Sequence, residues 1–164
     1  MSREIIGDLF DFMGQIDARI TAFDRRIDTV FKSNADCRRI ARICGVRPKT
    51  ATAVVAAVGD GREFKNGRHL AAWMGLVPRQ HSSGDKRLLM GISKRGDRHL
   101  RTLLIHGARS VVRVAQRKTD LFSQWVNRLR ERCGMNRAIV AVANKNARII
   151  RAMLNRNEEF RAPV

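Results

Sequence analysis

The sequence predicts an all-α fold, and three features carry the prediction. Ile6, Leu9, Met13, Ile16, Ile20, Phe23, Ile27 and Val30 are separated alternately by three and four residues, the a/d seam of a helix that pairs along its length with another helix. Further on, apolar residues recur at helical spacing between start and stop residues such as Asp97, Asp120 and Gly134. No segment reads as an extended strand. The expected architecture is an N-terminal coiled-coil helix over residues 1–34, followed by a compact helical bundle over 35–160 with a helix-hairpin-helix-like unit.

In chain order, the seam fills the first segment, and Gly7 and Gly14 weaken its opening turns without disturbing the register. The character changes after Asn34. A short helix is expected from Cys37 to Ile43 and a second, apolar one from Lys49 to Val58, joined through Gly45-Val46-Arg47-Pro48. Gly45 permits a tight turn, Pro48 suits a first helical position, and free amides at the start of the second helix can receive a phosphate oxygen. An ordinary helical corner fits the same residues. Gly59-Asp60-Gly61 marks a turn, and residues from Asn66 to Met74 can form a short helix. A longer helix is expected from an Asp97 cap to about Lys118, burying Leu100, Leu103, Leu104, Val111 and Val114 and carrying Arg109, Arg113 and Arg117 as a one-sided stripe. Thr119 or Asp120 then caps a helix that stops at Gly134, and Asn136 opens the last one.

Charge divides the chain the same way. Residues 1–36 hold five basic and seven acidic groups, a net of −2, and the rest holds 28 basic against eight acidic, a net of +20. A near-neutral arm and a strongly basic body imply different partners, and a polyanion is the counterpart of the body. With 44% hydrophobic residues the chain can bury a core, which excludes general disorder. Its apolar runs, such as Val54 to Val58, fall far short of the roughly 20 residues needed to span a bilayer. No membrane helix or signal peptide is expected, and a cytoplasmic location follows. Cys37, Cys44 and Cys133 lack the spacing of a disulfide framework or a zinc site.

The chemistry concentrates between Trp73 and Arg101, where Ser82, Ser83 and Ser93 stand among Arg79, Lys86, Arg87, Lys94, Arg95, Arg98 and Arg101. Two readings fit these residues: a basic loop that only holds a nucleic-acid backbone, or a serine nucleophile whose phosphodiester target is stabilised by the surrounding cations. His81 adjoins the serines and can take a proton. His99 and His106 are seven apart, too far for a helical metal pair, and the carboxylates of the body are scattered. No metal site is expected in this chain.

The run from about Arg42 to Arg101, above all GDGREFKNGRHLAAWMGLVPRQHSSG and GISKRGDRHLRTLLIHGA, resembles the C-terminal domain of bacterial insertion-sequence transposases of the one-ten family. The resemblance covers nearly the whole chain. It implies DNA recombination guided by a bridge RNA, with a serine that links covalently to DNA and a RuvC-like domain whose DEDD carboxylates hold Mg²⁺. Residue by residue, the family's Ser-Gly nucleophile falls on Ser83, with Ser82 as its nearest competitor and Ser93 as a cap or phosphate contact; by their own chemistry and position, His81, Arg79 and Arg87 are expected to assist. The DEDD domain is absent from the sequence as read, so a domain inactive by itself is expected, with no cofactor of its own.

The expected function is therefore that of a transposase domain that binds DNA and contributes Ser83 to strand cleavage and exchange. Nucleic-acid contacts are expected at Gly45, Val46, Arg47, Lys49, Lys86, Ser93, Lys94, Arg95, Arg98, Arg101, Arg109, Arg113 and Arg117. Ile6, Leu9, Met13, Ile16, Ile20, Phe23, Ile27 and Val30 are expected to join another copy or a full-length transposase. The alternatives are a non-catalytic, dimeric nucleic-acid-binding module and a truncated regulator of a full-length enzyme.

Overall fold

Side-chain caps set most of the helix starts. In the computed structural model, which describes residues 2–83 and 86–160 and the side chains of 3–80 and 90–160, Asn34, Asn66, Asp97 and Asp120 accept backbone N–H groups of Cys37, His69, Leu100 and Ser123. They precede α2 (Ala35–Ile40), α4 (Gly67–Trp73), α5 (Arg98–Ala115) and α6 (Leu121–Cys133). The other elements are α1 (Ser2–Ser33), α3 (Pro48–Val58), β1 (Pro78–Ser83), β2 (Lys86–Ile92) and α7 (Met135–Arg156). Ser123 also donates its hydroxyl to Asp120 at 2.7 Å, and these bonds hold the Asp120 carboxyl below its ordinary pKa. Gly134, at φ +80°, ends α6 and leads directly into α7, so α7 opens at Met135 rather than Asn136.

The helical class expected from the sequence holds, with one correction. Residues 78–92 form an antiparallel hairpin instead of an open loop, with a register shift between Pro78 and Gln80. Its backbone pairs run Gln80 with Leu89, His81 with Leu88, Ser82 with Arg87 and Ser83 with Lys86. Among the described residues, no helix packs against its strands, so the hairpin stands off the body.

The body is built around α7, which packs on α2, α4, α5 and α6. It buries Ala138, Ile139, Val142, Ala143, Ala147, Ile150, Met153 and Leu154, and polar side chains on the same helix fasten the loops. Asn146 donates to Cys44 O at 2.9 Å, Asn144 to Leu76 O at 3.2 Å, and Arg151 Nε to Phe64 O at 3.0 Å. Each gives a partly buried carbonyl a partner it has lost from water, a net gain of about 1 kcal/mol apiece. On α5 the buried face is Leu100, Arg101, Leu104, Ala108, Val112 and Ala115. Leu103 and Val111 are only half buried and Val114 is 46% exposed, so the helix is turned slightly from the orientation its bulky residues suggested.

The arm touches the body only through its last third. Lys49 Nζ meets Asp24 Oδ1 at 2.7 Å, Ile27 is half buried, and Phe31 packs on the core. Residues 3–23 are exposed throughout, a projecting length of roughly 30 Å at 1.5 Å per residue. Six of the eight seam residues, Ile6, Leu9, Met13, Ile16, Ile20 and Phe23, are bare there. Ile5, Phe10 and Phe12 are bare beside them, so toward the N-terminus the apolar face is wider than a two-helix seam. Among the described residues, no helix is long and apolar enough to cross a membrane.

Candidate nucleic-acid interface

Three basic features can be traced from the elements that hold them. The first is the hairpin. Its root is tied down by backbone bonds from Ser93 N to Val77 O at 2.8 Å and from Lys94 N to Gly75 O at 3.2 Å. Where the chain leaves β2 it runs flat against the end of α4. A Cβ on Gly96 would overlap Trp73 O, and one on Gly75 would overlap Arg95 O, so both contacts need glycine. Lys94 adopts φ +55° in this crossing, an uncommon conformation for a side-chain-bearing residue. Arg79, Lys94, Arg95 and Arg98 are exposed around the root, and Ser93 Oγ is buried without a hydrogen-bond partner. Ser83 is the last residue of β1, at the hairpin's far end, one step beyond Ser82. The side chains of His81, Ser82, Ser83, Lys86 and Arg87 lie outside the described residues.

The second feature is the outer face of α5. Arg109 and Arg113 are exposed on it, and Arg98 continues the basic character at the start of the helix, next to the hairpin root; the helix stops at Ala115 rather than near Lys118, so the exposed Arg117 lies in the turn just past its end. Arg101 departs from expectation: it is 9% exposed, and its guanidinium donates to Met74 O at 3.1 Å. It locks α5 to the end of α4 and is not available to a phosphate.

The turn between α2 and α3 also differs from its reading as an open phosphate cradle. Gly45 has φ +88°, as a tight turn requires, but it is pressed against α5 so closely that a Cβ on Gly107 would overlap the Gly45 carbonyl oxygen. Val46 is 2% exposed and its amide bonds Ile43 O at 2.9 Å, so it too belongs to the core. Lys49 is engaged with Asp24 of the arm. Arg47 alone of this group is exposed and without an acidic partner in the described ion pairs.

The third feature was not singled out from the sequence. A groove of about 1490 Å³ runs between α6, α7, the start of α4 and the hairpin root. Arg68, Arg132, Arg137, Lys145 and Arg148 line it, and among the described residues no Asp or Glu does. Lys145 Nζ sits 4.2 Å from the centroid of the Trp125 ring, which stacks on Phe122. The signal was present in the sequence: Arg137, Ala141, Asn144 and Arg148 follow helical spacing beside the buried face of α7.

Among the described residues, no group of three or more His, Cys, Asp or Glu side chains gathers as a metal site would need. The Mg²⁺ implied by the family resemblance therefore finds no donor set among the described residues. Burial raises the pKa of Cys37, which lies in the core rather than at any of the basic features.

A model of the Transposase IS116/IS110/IS902 family matches residues 37–124. The chain is 50% identical over 159 residues to the transposase for insertion sequence element IS1111A of Coxiella burnetii, covering 97% of this chain and 44% of that protein. It is 48% identical over 158 residues to a probable family 20 transposase of Pseudomonas aeruginosa, covering 96% and 47%. A pilin gene-inverting protein of Moraxella bovis is 32% identical over 125 residues, covering 74% and 37%. The chain thus spans less than half the length of these relatives.

Proposed function

This chain belongs to the IS116/IS110/IS902 transposase family, and from that premise we propose that it binds DNA and contributes Ser83, with Ser82 as the alternative, to strand cleavage and exchange. The observation that carries the reading is the content of the family-matched segment. Residues 37–124 hold both the projecting hairpin, in which the serines pair with Lys86 and Arg87 across the ladder, and the exposed Arg109 and Arg113 of α5 with Arg117 just past its end. The relatives point the same way, since they are named for transposition and for gene inversion, both of which break and rejoin DNA.

In this reading duplex DNA lies along α5 and the hairpin root, held by phosphate contacts from the α5 arginines with Arg98, Lys94, Arg95 and Arg47. The serine hydroxyl attacks phosphorus, its proton passes to a base for which His81 is the neighbouring candidate, and the displaced deoxyribose oxygen takes up a proton. The new Ser–O–P ester keeps the bond energy, so strands can be rejoined without a nucleotide cofactor. Arg79, Lys86 and Arg87 are the candidate cations for the charge that builds on the phosphate oxygens. The DEDD carboxylates and Mg²⁺ belong to a domain outside this sequence. A guide RNA, which the family resemblance implies, would be a second polyanionic partner. The bare seam of α1 favours association through the arm, with a second copy or with a full-length transposase.

Salt dependence tests the binding half of this proposal. Log affinity for a duplex should fall steeply with log salt, and replacing Arg109, Arg113 and Arg117 together with Ala should reduce the slope by up to about 2.7 if each holds one phosphate. An unchanged slope would remove α5 from the interface.

A further inference from the structure

The groove between α6 and α7 has a different chemical character from the α5 stripe. A duplex presents phosphates and hides its base faces, so an exposed row of cations serves it well. The groove instead combines cations with an apolar floor that includes Leu129, Val140 and Ile149. Such a recess fits a strand that offers phosphates on one side and unstacked bases on the other. Lys145 adds to this, because its ammonium is held against the Trp125 ring, where less water competes for it and an incoming phosphate oxygen gains more than at an open surface. Among the described residues no carboxylate lines the groove to oppose these five cations.

The groove also reaches the root of the hairpin that carries the candidate serines. Pro78 at the start of β1 and Met90, Gly91 and Ile92 at the end of β2 form part of its wall. The groove thus opens on the same hairpin that holds the serines, at its root. We infer that this groove binds single-stranded DNA, specifically the unpaired strand next to the break. The inference rests on the reading of the chain as a DNA strand-exchange domain, and it adds a second, single-strand site to the duplex surface on α5.

A thiol inside the groove provides a test that needs no substitution. Cys133 lines the groove and is half buried, whereas Cys44 is exposed and lies outside it. A bound oligo-dT of about 12 nucleotides should slow alkylation of Cys133 about tenfold, read by peptide mass spectrometry, and leave Cys44 unchanged. In parallel, Arg137→Glu with Arg148→Glu should weaken oligo-dT binding about tenfold or more and change duplex binding by less than about twofold. Arg109, Arg113 and Arg117 changed to Ala should do the reverse. Thermal melting confirms that each variant is folded. No oligo-dT binding, an unprotected Cys133 under saturating oligo-dT, or equal loss of duplex and oligo-dT binding in the groove variant would overturn the inference. Tighter binding of oligo-U than of oligo-dT would also overturn it, by assigning the groove to RNA. If only the α5 variant fails to lose duplex binding, the duplex reading falls and the groove stands.

Discussion

Gly45 and Gly107 meet backbone to backbone, and this contact decides how the α2–α3 turn is used. The carbonyl of Gly45 lies where a side chain on Gly107 would begin, while Asn146 holds the neighbouring Cys44 carbonyl from the other side. Gly107→Ala should therefore force the turn away from α5 and destabilise the fold by about 1–3 kcal/mol, read as a lower denaturant midpoint with an unchanged m-value. The same loss is expected with or without DNA, because the contact is structural. One sequence shows that Gly45 permits a turn, but the partner that makes glycine obligatory is 62 positions away and becomes visible only in three dimensions. Arg101 was closer to legible. It shares helical spacing with Leu104, Ala108, Val112 and Ala115, which marks it as a buried-face position, and only its charge suggested a phosphate contact.

Among the elements, α1 carries the clearest consequence. A helix with Ile16 and Ile20 at 40% and 51% exposure, docked only by its last third, leaves most of its seam bare, as the proposed association through the arm requires. Ile16→Asp with Ile20→Asp should place charges in that seam and shift the solution mass downward, as measured by light scattering. An unchanged mass would mean that the arm does not hold copies together. The seam was readable from spacing alone, as were the Asp97 and Asp120 caps and the Gly134 turn, since each depends on residues within a few positions of one another. The hairpin was not. Arg79, Gln80, Lys86 and Arg87 have weak strand preference and no apolar alternation, and no helix covers the ladder to impose one.

At the scale of the whole molecule, charge and shape assign work to different ends. The N-terminal arm is near neutral, apolar along one side and bare; the body carries the net +20, and the hairpin projects from it. The basic character of the body and the location of the candidate serines were legible in composition and motif, whereas the groove required α6, α7 and the hairpin root to be brought together. In the proposed reaction Ser83 links to DNA. The direct measurement is a denaturing gel with mass mapping of protein–DNA adducts, in the presence of a DEDD domain joined or in trans, Mg²⁺ and the guide RNA. Wild type should form an adduct on the peptide containing Ser83, and Ser83→Ala should abolish it while leaving salt-dependent DNA binding intact. An adduct that survives Ser83→Ala but not Ser82→Ala would move the nucleophile by one residue, and one that survives substitution of Ser82, Ser83 and Ser93 would contradict the serine mechanism for this chain.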